Sequence, residues 1–150
     1  MAFPHLWFIA ALGASLFWGL GYVISEILLK TEGITPLFLA TSTALVTFPV
    51  YLMACLYFNE WRPGVEVITQ DKRLFFYVLL TAFLVLGGTF LIYLGVSEKN
   101  ASLVSVIEST YPLFTIFFAY VLLQQLQVNL WTAFGALLIV SGIVIVYLKH

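Results

Sequence analysis

Charge is scarce in this chain: only 9% of its residues are Asp, Glu, Lys or Arg. Soluble domains carry roughly 25%, so there are too few charges here to coat a globule in water. The six Lys and Arg residues are spread over the whole length and build no basic stripe, which leaves no surface for nucleic acid. Cys55 is the single cysteine, so an intrachain disulfide is excluded and the redox compartment stays open. Histidine is confined to His5 and His150, at opposite ends. That is no ligand spacing for a metal, and both are expected in headgroups or water. A GxxxxGK[ST] phosphate loop is missing, so the chain does not itself hydrolyse ATP. HExxH, GxSxG and paired His and Asp are missing too, which argues against a membrane-embedded enzyme. No cofactor is expected.

What the chain has instead is apolar length. Sixty-three per cent of its residues are hydrophobic, and they fall in long blocks. A helix rises about 1.5 Å per residue, so about 20 apolar residues cross the hydrocarbon core. Lipid offers unpaired backbone groups no partner, so the spans must be helical. Five blocks qualify: Leu6 to Leu29, Ile34 to Tyr57, Leu74 to Val96, Ala101 to Gln124 and Leu130 to Leu148. The expected fold is an all-α integral membrane protein, one five-helix transmembrane domain over residues 1–150. The first block lacks a basic leader and exceeds the roughly 7–15 apolar residues of a signal peptide, so it reads as a retained span.

The connections are short and polar. Lys30-Thr31-Glu32-Gly33 is a turn with a helix-stopping glycine. Ser97-Glu98-Lys99-Asn100 is another, with Asn100 placed to cap the fourth span. Gln124 to Asn129 closes the last hairpin. Only Phe58 to Arg73 is longer, and it is expected to lie along the headgroups with Trp61 as an interfacial anchor. Five spans put the termini on opposite sides. Trp7, Trp61 and Trp131 then fall at the N-terminal side's interface, as an aromatic belt. Arg62, Lys72 and Arg73 lie on that side, and Lys30, Lys99 and Lys149 on the other. This even split gives the positive-inside rule nothing to act on. It fits either a weak bias settled during insertion or a chain that inserts both ways up.

Two acids lie inside spans. Glu108 is seven residues beyond Ala101, roughly 10 Å into the fourth span. A carboxylate near the bilayer centre costs about 2.5–3.5 kcal/mol, and such residues face a cavity or a partner. Ser105, Pro112 and Thr115 share its helical face. Pro112 withdraws the backbone donor that the Glu108 carbonyl would receive, which predicts a kink. One reading gives Glu108 a solute- or proton-handling role; the other satisfies it at the interface or on a neighbouring helix. Glu26, near the end of the first span, stands four residues before Lys30 in the order that favours an ion pair. That pairing accounts for it adequately, beside a functional reading.

Small residues let helices approach in lipid, where no hydrophobic force joins them. Gly13 lies between Ala10 and Ala14 in the first span, Gly87-Gly88 at mid-depth in the third, and Gly135 and Gly142 on one face of the fifth. The last pair suits intrachain packing or dimerisation equally. Trp18 and Tyr22, at i,i+4, either pack within the bundle or line a cavity and stack on a solute.

The motifs, taken in order, resemble one repeat of the drug/metabolite transporter superfamily, the five-helix EamA-type unit. They are Phe17-Trp18-Gly19, Asn100-Ala101-Ser102-Leu103-Val104, Tyr111-Pro112-Leu113-Phe114-Thr115 and the glycine-bounded run from Gly135 to Gly142. Two features depart from the family pattern: Gln124-Gln125-Leu126 where an acid is usual, and no arginine between Ile34 and Tyr57. Substrate identity therefore does not carry over.

The resemblance implies a secondary transporter of a small organic solute or metabolite, working in efflux, in the inner membrane of a bacterium or archaeon. Most relatives hold two inverted repeats, which build a midplane site and permit alternating access. A chain with one repeat then needs a partner, and an antiparallel homodimer with dual topology supplies it. On this reading Glu108 is the coupling or substrate-facing group and a possible proton carrier. Ser105, Ser109 and Tyr111 supply hydrogen bonds, and Trp18 and Tyr22 supply apolar walls. The alternative is a non-transporting accessory subunit or a lipid-carrier flippase component.

Overall fold

Threonine and proline set where the second span begins. Thr35 caps it, its hydroxyl oxygen accepting from the Phe38 N–H at 3.1 Å, and Pro36 occupies the first helical position, where its missing N–H costs nothing. The span therefore starts two residues later than the apolar block from Ile34. Just before it, Gly33 takes a φ of 87°, a left-handed conformation that lets the chain reverse after the first span.

The computed structural model describes residues 5–124 and 129–149. Among these residues seven helices follow in order: α1 (Leu6–Leu29), α2 (Pro36–Tyr57), α3 (Trp61–Gln70), α4 (Lys72–Glu98), α5 (Ala101–Glu108), α6 (Tyr111–Leu123) and α7 (Leu130–Lys149). Five stretches are long and apolar enough to cross a membrane: α1, α2, α4, the run Ala101–Leu123 and α7. No strand occurs among the described residues. The all-α, five-span fold expected from the apolar blocks is present. Residues 125–128, which hold most of the expected last connection and include Gln125 and Leu126, lie outside the described residues, as does His150.

The segment expected along the headgroups forms a helix of its own. α2 ends in a Schellman turn: Asn59 is left-handed at φ 57°, its N–H bonds the Leu56 carbonyl, and the Glu60 N–H reaches back to Cys55. This turn redirects the chain into α3. There Arg62, Glu66, Thr69 and Gln70 share one face, and Trp61, Val65 and Ile68 the other, the pattern of a helix lying at an interface. Asp71 then caps α4, its carboxylate accepting from the Arg73 N–H at 2.8 Å. α4 consequently begins two residues before the apolar block at Leu74 and runs two past Val96.

The chain divides into two compact units, one up to Asn100 and one from Ala101. In the first, α4 packs against α1, α2 and α3, and α1 touches α2. Its core is Tyr22, Leu39 and Val96, at 5%, 6% and 1% exposure. These stand near the end of α1, the start of α2 and the end of α4, so the three spans close on one another at one end of the unit. Away from that end Leu12, Phe48 and Leu84 are all exposed. Apolar surface of that extent is suited to lipid. Hydroxyls along the spans are satisfied locally: Thr41, Thr43 and Thr47 each donate to a carbonyl one turn back, as helices in lipid require.

In the second unit α7 starts on Asn129, whose side-chain oxygen accepts from both the N–H and the hydroxyl of Thr132. The fourth span was expected as one kinked helix. It is instead two helices, and that interruption dominates the site.

Candidate functional site

Pro112 has no N–H to continue the ladder, and it disfavours helical geometry in the residue before it. Regular hydrogen bonding accordingly stops at Glu108 and resumes at Tyr111. Between them the bonds shorten to three-residue steps. Thr110 N–H reaches Ile107 at 3.1 Å, and Leu113 N–H reaches Thr110 at 2.9 Å, as in a 3₁₀ turn. Thr110 keeps right-handed dihedrals, φ −71° and ψ −18°, so the break lies in the ladder rather than in its handedness. Hydroxyls cover the gap. Ser109 donates to the Ser105 carbonyl at 2.9 Å, Thr110 to Ile107 at 2.8 Å, and Ser105 to Ser102 at 3.0 Å.

Glu108 is therefore the last residue of a helix that ends inside an apolar span. It is half-buried, and so are Ser105 and Pro112, one turn to either side. These three share a face. Ser109 and Tyr111 do not: both are exposed, Tyr111 at 62%. Because the Ser105 and Ser109 protons go to backbone carbonyls, each hydroxyl presents only lone pairs to anything else. Ser105 and Ser109 thus add acceptors rather than donors to this stretch.

The first unit holds a second set. Trp18, Gly21, Tyr22, Ser25, Ile92 and Tyr93 line a cavity of about 60 Å³ between α1 and α4. Tyr22 is in the core while Trp18 is 60% exposed, so the i,i+4 pair spans the cavity from inside to outside. The volume suits water or a small group rather than a whole organic solute; ligand pockets run roughly 300–1,000 Å³. Glu26 follows one turn after Tyr22, half-buried, and forms an ion pair with Lys30. Lys30 itself is largely exposed. Among the described residues no group of His, Cys, Asp and Glu is placed to hold a metal.

The glycines present open space. At Gly87, Gly88, Gly135 and Gly142 an added Cβ would meet no described atom within 4 Å.

A carboxylate at a break in the fourth of five spans, with Pro112 four residues on, is the feature that a family comparison must account for. The profile of the EamA-like transporter family matches residues 5–148, almost the whole chain. The chain belongs to that family. No curated protein and no solved structure matches it. This EamA-type chain is accordingly an integral, multi-pass membrane protein of the drug/metabolite transporter superfamily.

Two features of the EamA-type fold escape a reading by blocks and single residues, and a third does not. Pro49 lies inside α2, where the apolar block runs on past it without a break in length. Ser25 and Tyr93 join Trp18 and Tyr22 at the cavity; Ser25 was findable as the residue at i+3 from Tyr22, but Tyr93 comes from another span. The Thr35-Pro36 helix start was legible and is a standard signal.

Proposed function

We propose that this protein is a secondary transporter that exports a small organic solute, with Glu108 as the group that binds solute or proton. The supporting observation is the interruption of the fourth span at Glu108. It leaves a carboxylate at membrane depth next to a segment whose backbone ladder is already broken. Such a segment can change conformation at lower cost than a continuous helix, and intramembrane acids mark solute and proton pathways. The acceptor-rich surroundings favour a solute that brings donors, such as an amine or another cationic metabolite. The gradient that drives export is carried by protons, which a carboxyl can take up and release.

The working unit is an antiparallel homodimer in the inner membrane of a bacterium or archaeon. One five-span repeat needs an inverted partner to form a midplane site. The even division of basic residues permits both orientations.

Purified protein in liposomes tests the reading. Gradient-driven movement of a cationic solute, without any partner protein, is the expected result. Failure to move any solute from a broad amine and polyamine set would instead favour an accessory subunit or a lipid-carrier flippase component. Fusions of the C-terminus to two topology reporters should label both sides of the membrane. A single orientation in every molecule would exclude the antiparallel dimer.

A further inference from the structure

A groove runs between the interfacial helix α3 and the start of α4. Ile68 forms one wall, and Leu74, Tyr77, Val78, Thr81 and Ala82 form the other, around a volume of about 500 Å³. That is within the range of ligand pockets. The lining is almost wholly apolar. It has two hydroxyls: that of Thr81 already donates to the Tyr77 carbonyl at 2.8 Å, and the other belongs to the exposed ring of Tyr77.

Its mouth is different. Lys72 and Arg73 immediately precede the groove residue Leu74, while Arg62 stands farther off, at the start of α3 beside Leu56, Asn59 and Pro63. All three are exposed, and among the described residues no carboxylate oxygen lies within 4.0 Å of their side-chain nitrogens. The nearby acids are engaged elsewhere or stand apart. Asp71 accepts from the Arg73 backbone, Glu66 accepts from the Gln70 amide at 3.4 Å, and Glu60 begins the turn into α3. The cations therefore meet the headgroup layer without an ion-pair partner, beside an apolar slot that opens toward the hydrocarbon.

We propose that the α3–α4 groove binds one anionic glycerophospholipid, with an acyl chain along Ile68, Leu74, Val78 and Ala82 and the phosphate held by Lys72 and Arg73. An amphiphile is the one ligand class that answers both halves of the site. A bare phosphate leaves the groove unfilled, and a transmembrane helix leaves the cations unpaired. Anionic headgroups attract basic residues at a membrane boundary, and the exposed apolar face of α3 keeps the helix in that layer. The proposal does not depend on the transport reading.

Native mass spectrometry of the full chain tests it, with phosphatidylglycerol and phosphatidylcholine of equal chain length as probes. Phosphatidylglycerol should bind more tightly, and the K72Q/R73Q variant should lose about 25-fold in Kd for it, about fivefold per cation. Equal affinity for the two lipids, or an unchanged Kd in the variant, would overturn the proposal. Excess inorganic phosphate should not displace the lipid; displacement would assign the site to free phosphate and overturn the lipid assignment. A second measurement uses the unaltered chain. Phosphatidylglycerol carrying a photoreactive acyl group should label residues 68–82 preferentially. Labelling spread evenly over the lipid-facing helices would contradict a built site.

Discussion

Ser109 gives both its backbone N–H and its hydroxyl proton to the Ser105 carbonyl, at 3.0 Å and 2.9 Å. One acceptor thus closes the last turn of α5 just where Pro112 has removed the donors that would have continued it. The two serines differ in placement: Ser105 is half-buried on the Glu108 face, and Ser109 is exposed. Ser105→Ala should raise the KM for the transported solute several-fold, because it removes an acceptor beside the carboxylate. Ser109→Ala should leave KM unchanged and cost no more than about 1 kcal/mol of stability. Initial rates in liposomes separate the two.

Pro112→Ala restores a donor opposite Glu108. Hydrogen exchange at residues 109–113 should slow, and thermal unfolding in detergent should shift upward as α5 and α6 join. Transport should fall at least about tenfold, corresponding to roughly 1.4 kcal/mol on the barrier. A continuous helix with undiminished transport would show that the interruption is not used.

Glu26→Gln removes the ion pair with Lys30. Lys30 is 63% exposed and Glu26 21%, so solvent or headgroups screen the pair and the cost should stay near about 0.5 kcal/mol. Transport should persist. Loss of activity in this variant would move Glu26 from helix stabilisation into the mechanism.

Gly33→Ala places a side chain at φ 87°, where an L-residue is strained by roughly 1–2 kcal/mol. Nothing crowds the position, so the whole effect should be conformational. A lowered midpoint of thermal unfolding, with activity retained below it, is the expected outcome.

The number of spans was legible because lipid imposes one rule on every block: enough apolar residues to cross it, in a helix. The Glu26 and Lys30 pair was legible for a similar reason, being local at i,i+4. The split at Glu108 was only half visible. Pro112 announced a kink, but the shift to three-residue steps at Thr110 and Leu113 is set by backbone geometry that the sequence does not spell out. The cavity around Trp18 was less accessible still. Ser25 shares a helix with it and follows from periodicity, whereas Tyr93 arrives through the packing of α4 on α1, which no local pattern encodes. The helix α3 was hidden by its length, because ten residues bounded by charge read as a loop until Arg62, Glu66, Thr69 and Gln70 are placed on a wheel.

Gradient-driven export by Glu108→Gln protein in liposomes is the most direct test of the account. The substitution keeps the size and hydrogen-bonding reach of the side chain and removes its capacity to ionise. The account predicts that an imposed pH gradient no longer concentrates solute across the membrane, while wild-type liposomes continue to do so. Accumulation by Glu108→Gln equal to wild type, with the same dependence on pH, would contradict it.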